Sequence, residues 1–194
     1  MRRKRTSDSD DSLSNNSSSN SSASQSGKNS QNSNPGDSSV SKDHQQSDPH
    51  DLIERFVMNQ KARFPHAIAE IKQGKKRTHW LWFILPTPPY IVDGKERGSE
   101  MNRYFALRGD APQAYLKVDA LRYNYLEICR AMECQLKFGN TFRNMFGPYD
   151  CPKVISSLNM FNETALQMKD DELATVCSSL LSMDKKKNPN STKR

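Results

Sequence analysis

The sequence predicts an all-α fold: a compact multi-helix single domain behind a disordered N-terminal tail. Three observations predict it. Composition changes abruptly near Ser47. Beyond that point apolar residues recur at helical spacing in one segment after another. Caps and breakers punctuate those segments at short intervals, so helices follow helices with brief connections, as in a helical cluster.

Residues 1–47 hold almost nothing to bury; Met1, Leu13, Ala23 and Val40 are their apolar side chains in a background of Ser, Asn, Gln, Asp and Gly. Such a segment cannot offset its ordering entropy by removing apolar surface from water, and disorder is expected. Residues 48–183 read as the helical domain, and 184–194, DKKKNPNSTKR, as a basic disordered tail.

Within the domain, Asp51 is placed to cap a helix with the stripe Leu52, Ile53, Phe56 and Val57. Pro65 fits the first turn of a further helix carrying Ala67, Ile68 and Ile71, which Gly74 ends. Thr78 precedes the run from His79 to Leu85, stopped by Pro86. Periodicity over so short a run fits a strand or a buried helix, but no second strand of comparable quality exists to pair with it, which favours a short buried helix. Pro86 to Gly98 carries several prolines and two glycines and reads as a loop, with a turn at Asp93-Gly94. Ser99 opens a helix with Met101, Tyr104, Phe105 and Leu107, ending at Gly109. Asp110 and Pro112 begin a short one with Ala114, Tyr115 and Leu116. Asp119 caps the longest, with Leu121, Tyr125, Ile128, Cys129, Met132 and Leu136 inward, ending at Gly139. Asn140 caps a turn holding Phe142, Met145 and Phe146, closed by Gly147-Pro148. Asp150-Cys151-Pro152 starts a helix with Val154, Ile155 and Leu158. Asp170, Asp171 and Glu172 place negative charge at the start of the last helix, whose stripe is Leu173, Val176, Cys177, Leu180 and Leu181.

The formal net charge of +7 and a pI of 9.3 suggest nucleic acid until the charge is located. It falls mostly in the last eleven residues, and the domain itself is near neutral. Nucleic acid is therefore not implied by the folded part. No apolar run approaches the roughly 18–20 residues that span a bilayer, no signal peptide precedes the domain, and a soluble protein without a membrane partner is expected. Cys129, Cys134, Cys151 and Cys177 include no Cys-x-x-Cys pair, so reduced structural thiols and no metal are expected. These suit the cytoplasm or the nucleus.

The most unusual stretch runs Gly74-Lys75-Lys76-Arg77-Thr78-His79-Trp80. Lys76 and Arg77 supply charge, while the hydroxyl and backbone N–H groups near Thr78 could cradle an anion. His79 could orient or protonate it, Trp80 could wall it, and Arg103 could approach from the helix after the proline-rich loop. Each has an ordinary structural role beside the functional one: Arg77 in an ion pair, His79 hydrogen-bonded, Trp80 in the core. No phosphate loop, dinucleotide fingerprint or zinc signature occurs, so no cofactor is implied. No nucleophile and base can be paired from spacing, so catalytic residues are unassigned. Two functions stay open: binding or acting on an anionic, phosphorylated or nucleotide-like small molecule, and a non-enzymatic interaction module with basic tails on acidic partners or nucleic acid.

The run GKKRTHWLWFILP resembles the family known as domain of unknown function 1810, whose bacterial members are often mislabelled calpastatin. Its pattern is Gly, basic residues, Ser/Thr-His-Trp, an aliphatic, Trp-Phe, two apolar residues and Pro. Asp51, Leu52, Phe56, Val57 and Gln60 resemble its opening; Arg103 to Leu107, Ala114 to Leu116, and Ser156-Ser157-Leu158-x-Met160-Phe161 are also similar. The resemblance covers about residues 48–183 and implies a compact, mainly α-helical single domain without an established activity. The chain departs from the pattern where a Gln commonly follows the Pro and Thr87 stands here. It departs again where Pro88 to Gly98 replaces a shorter glycine-containing link.

Overall fold

Asp48, not Asp51, opens the first helix. In the computed structural model, which describes residues 48–187, the two Asp48 carboxylate oxygens accept the Leu52 and Ile53 N–H groups, each at 2.8 Å. Asp51 takes a left-handed backbone (φ 52°) and offers only its carbonyl, to the Arg55 N–H. The following Ile53–Met58 winds as a π-helix that continues directly into α1, Asn59–Lys72. The wider turn shifts the expected stripe: Leu52 and Phe56 are buried, Val57 is half-buried, and Ile53 is 50 % exposed.

Pro65 lies inside α1 instead of starting a further helix. It deprives the carbonyl one turn earlier of its donor, but both Lys61 and Pro65 face solvent, where water can serve that carbonyl. The helix ends where expected, at Gly74, whose φ of 85° reverses the chain. A Cβ there would come to 3.0 Å from the side chains of Gln135 and Asn140, so backbone freedom and lack of a side chain are both required.

Helix α2, Leu81–Ile84, is short and buried. The expected loop before Gly98 instead contains a hairpin: β1, Tyr90–Val92, pairs antiparallel with β2, Lys95–Arg97, Tyr90 opposite Arg97. Asp93 and Gly94 form its two-residue turn, both at positive φ (51° and 70°), the geometry whose twist matches that of the flanking strands. The domain is otherwise all-α.

Ser99 caps α3, Glu100–Phe105, its hydroxyl accepting the Asn102 N–H at 3.3 Å. That helix stops before Gly109 because Ala106 turns extended and the Leu107 N–H is given to the Thr87 carbonyl at 3.0 Å. Helix α4, Ala111–Lys117, follows, then α5, Asp119–Lys137, whose expected inward residues are all buried. The Asp119 side chain forms no cap; Val118 occupies that position. Thr141, not Asn140, caps α6, Phe142–Met168, by accepting the Asn144 N–H at 3.1 Å. Asn140 instead donates to the Gly74 carbonyl at 2.9 Å. Gly147 (φ 75°, ψ 175°) breaks α6 after its first turn, and the part beyond it is longer than α5.

Asp170 accepts the Leu173 N–H and receives a two-pronged bond from Arg122, at 2.7 and 2.8 Å, tying α5 to the start of α7, Asp171–Lys187. This last helix continues beyond the expected domain end at Met183. Asp184, assigned by sequence to the basic tail, is buried and accepts the Phe142 N–H. The expected disorder of residues 1–47, and the tail beyond Lys187, lie outside the described residues.

Helix α5 runs between α1 and α7, while α7 also packs along α6. Phe56, Tyr115, Phe161 and Tyr125 form a continuous aromatic chain through the core, with successive ring centroids 5.3, 5.2 and 4.3 Å apart. Beside it the buried Gln60 amide donates to the Phe83 carbonyl (2.6 Å) and the Tyr115 hydroxyl (2.8 Å) and accepts from Asn124 (2.9 Å). Cys129 and Cys177 are buried among these helices as free thiols. Among the described residues, no helix is long and apolar enough to cross a membrane.

Candidate functional site

The reversal at Gly74 brings the segment 75–80 back against α1, and its donors converge on one carboxylate. Glu70 Oε2 accepts the Arg77 N–H (2.7 Å), the Thr78 N–H (3.1 Å) and the Trp80 indole N–H (2.8 Å), while Oε1 accepts the Thr78 hydroxyl (2.6 Å). Partial burial alone would raise this carboxyl's pKa. The hydrogen bonds from Arg77, Thr78 and Trp80 outweigh that and bring it down to about 2. The donors grouped from sequence as an anion cradle hold, in the structure, the chain's own carboxylate.

The six sequence-predicted residues divide accordingly. Thr78 and the backbone of Arg77 hold Glu70, and Trp80 does so from the core, 1 % exposed. Lys76 turns the other way, pairing with Asp150 at 2.8 Å and lying 5.8 Å from the Trp80 ring centre. The Arg77 and His79 side chains are exposed, and the His79 ring stacks parallel to Trp82 at 6.2 Å. Arg103 is exposed and donates to the Gly98 carbonyl at 2.7 Å, bracing the base of the hairpin.

A concavity lies elsewhere. A groove of about 560 Å³ opens between the proline-rich segment and α6, within the usual size range of small-molecule sites. Thr87, Pro88, Pro89 and Tyr90 form one wall; Pro152, Lys153 and Ser156 of α6 form the other; Gly98 and Asn102 close the end. Trp82 reaches a narrow inward extension of this groove, sharing it with Thr87, Asn102 and Lys153. A shallower lobe continues along α6 past Ile155 and Asn159 to Glu163.

Its polar lining is well positioned. Asn102 Oδ1 accepts the Trp82 indole N–H at 2.7 Å, which orients the amide and leaves its NH₂ without a protein partner among the described residues. Gly98, at φ 102°, passes so close that a Cβ would lie 3.1 Å from that nitrogen. Lys153 bonds Asp150 Oδ1 at 3.0 Å, and Lys76 bonds the same carboxylate's Oδ2. Burial would raise the Asp150 pKa; the two ammonium groups hold it below the usual range. One carboxylate between two lysines leaves an excess positive charge, and Lys153 carries it to the groove.

None of the six sequence-predicted residues lines this groove; Arg103 bonds the carbonyl of Gly98, which does, while His79 stacks on Trp82 at the inward extension and Lys76 shares Asp150 with Lys153. The wall residues were signalled in part by the three prolines around Thr87 and by the departure from the family pattern there. Ser156 was signalled only by the segment's similarity to the family pattern, and Lys153 carried no signal, because on α6 it looks like an ordinary solvated position. Among the described residues, no group of three or more His, Cys, Asp or Glu side chains is arranged to hold a metal ion.

Fold and groove together define a small helical domain with a concave site walled by a proline-rich hairpin loop and a long broken helix. A family model described as "Protein of unknown function (DUF1810)" matches residues 49–187, and the chain belongs to that family. Among solved structures it is similar to the conserved hypothetical protein Rv1873 from Mycobacterium tuberculosis. The TM-score is 0.58 at 25 % sequence identity, covering 73 % of this chain and 96 % of that one. No curated protein matches.

Proposed function

We propose that the domain binds a small anionic, phosphate-bearing molecule in the groove between Thr87–Tyr90 and α6. One observation carries this reading: among the described residues Lys153 is the only charged side chain lining this groove, and hydroxyl or amide groups of Thr87, Asn102 and Ser156 line the same space. Donors preorganised around a cation favour an anion over a neutral ligand of the same shape.

The residues first singled out by sequence take supporting places in this reading. Lys76 shares Asp150 with Lys153 and keeps that carboxylate from neutralising it completely. Arg103 holds the Gly98 carbonyl, and His79 flanks Trp82 at the inner end. Arg77, exposed and without a side-chain partner among the described residues, is a cation available to a ligand near the corner.

Titration calorimetry with sugar phosphates tests the proposal. Lys153→Ala should weaken binding by about 1.5–3 kcal/mol, the range for a hydrogen bond to a charged group, with little change in melting temperature. Arg77→Ala should have a much smaller effect. If Arg77→Ala abolishes binding and Lys153→Ala does not, the anion sits at the corner, in competition with Glu70. If no phosphate compound binds the wild-type chain, the reading fails.

A further inference from the structure

We infer that the groove accepts nucleotides in particular, with Tyr90 as the platform on which the base stacks. The inference rests on the anion-binding reading above and adds a second recognition element to it. Among the described residues Tyr90 is the only aromatic side chain lining this groove, and it is 65 % exposed. Among the described residues its ring stacks on no other aromatic group or cation, and its hydroxyl has no hydrogen-bond partner. The core aromatics, in contrast, are all packed edge to face or tilted against one another.

Its position is also fixed in advance. Pro88 and Pro89 restrict the backbone leading into it, and the pairing of Tyr90 with Arg97 anchors it as the first residue of the hairpin. With the backbone fixed by two prolines and a strand pairing, only the side-chain torsions of Tyr90 remain to be ordered on binding a flat partner. Proline rings at Pro88, Pro89 and Pro152 supply further apolar surface to a planar group. Lys153, Ser156 and the free Asn102 NH₂ supply donors for a phosphate and a ribose. Among the described residues no carboxylate lines this part of the groove; the carboxylates nearest along it are Asp150, held between Lys76 and Lys153, and Glu163 in the adjoining lobe.

Stacking accepts any base, because each has a π face, and contributes roughly tenfold to a hundredfold in affinity. The experiment compares AMP, GMP, CMP and UMP with ribose 5-phosphate, which has the phosphate and sugar but no base, on the full-length protein by titration calorimetry. Nucleotides should bind about tenfold or more tighter than ribose 5-phosphate. Tyr90→Ala should remove the advantage of the nucleotides over ribose 5-phosphate, the ratio of the two affinities in each variant being the readout, and Tyr90→Phe should keep that advantage. Lys153→Ala should weaken all five ligands. Equal affinity for ribose 5-phosphate and every nucleotide would overturn the inference and leave the anion site standing. So would a nucleotide advantage that survives Tyr90→Ala. If none of the five binds, both fall. Thermal melts of the Tyr90 variants, expected to match wild type for so exposed a side chain, separate lost binding from lost fold.

Discussion

Glu70 shows how far one residue can redirect a chemical motif. From sequence it is one charge among several on a surface helix, and the donors seven to ten residues later look free for an exogenous anion. The Gly74 reversal makes them neighbours. The donor set was legible because its residue types announce it; the acceptor was not, because only the backbone path brings it there. Glu70→Gln keeps the size but offers one acceptor oxygen where there were two, and should cost about 1–2 kcal/mol at neutral pH. The sign with pH follows from a carboxyl lowered to about 2 from an ordinary 4.5. Its stabilisation is complete above about pH 4.5 and disappears as pH falls towards 2. Melting curves should therefore show the gap between wild type and Glu70→Gln closing over that interval. A gap that stays constant would mean the ionised form contributes nothing special.

At the scale of elements, the helix stripes of α5 and α7 were readable because apolar spacing reports burial directly. The misplacements occurred where backbone geometry departs from the regular α period. The π-helical Ile53–Met58 rotated Ile53 outward, and Pro65 was absorbed into a helix because its ring and the carbonyl it deprives face solvent. The Asp93-Gly94 turn closed a hairpin in a segment whose prolines suggested loop. Gly147 was read correctly as a break, and its role can be measured. Its φ of 75° with ψ of 175° belongs almost solely to glycine, yet nothing lies within 4 Å of where a Cβ would be. Gly147→Ala should therefore cost backbone strain alone, about 1–3 kcal/mol in a urea denaturation. It should not disturb core packing. A neutral result would show that the two parts of α6 can join with a different bend.

For the whole molecule, the all-α architecture was legible from composition and period. The groove was not, since its walls come from segments about 65 residues apart and only folding brings Thr87 to Ser156. The buried core begins at Leu52, so a chain beginning at Ser47 should melt within a few degrees of the full-length protein. A large drop in its melting temperature would mean that the first 46 residues contribute stability.

The packing of α1 on α5 also sets a timetable during synthesis. Gln60 finds Asn124 64 positions later, and the Lys72 carbonyl is served by Gln135, 63 positions on. At about 5–20 residues per second, a ribosome needs roughly 3–13 s to supply the partner after α1 has emerged. Throughout that interval Phe56, Ala67 and Ile71 have no α5 to cover them. The nascent chain should be open to a chaperone then and become resistant to protease only once α5 has cleared the exit tunnel.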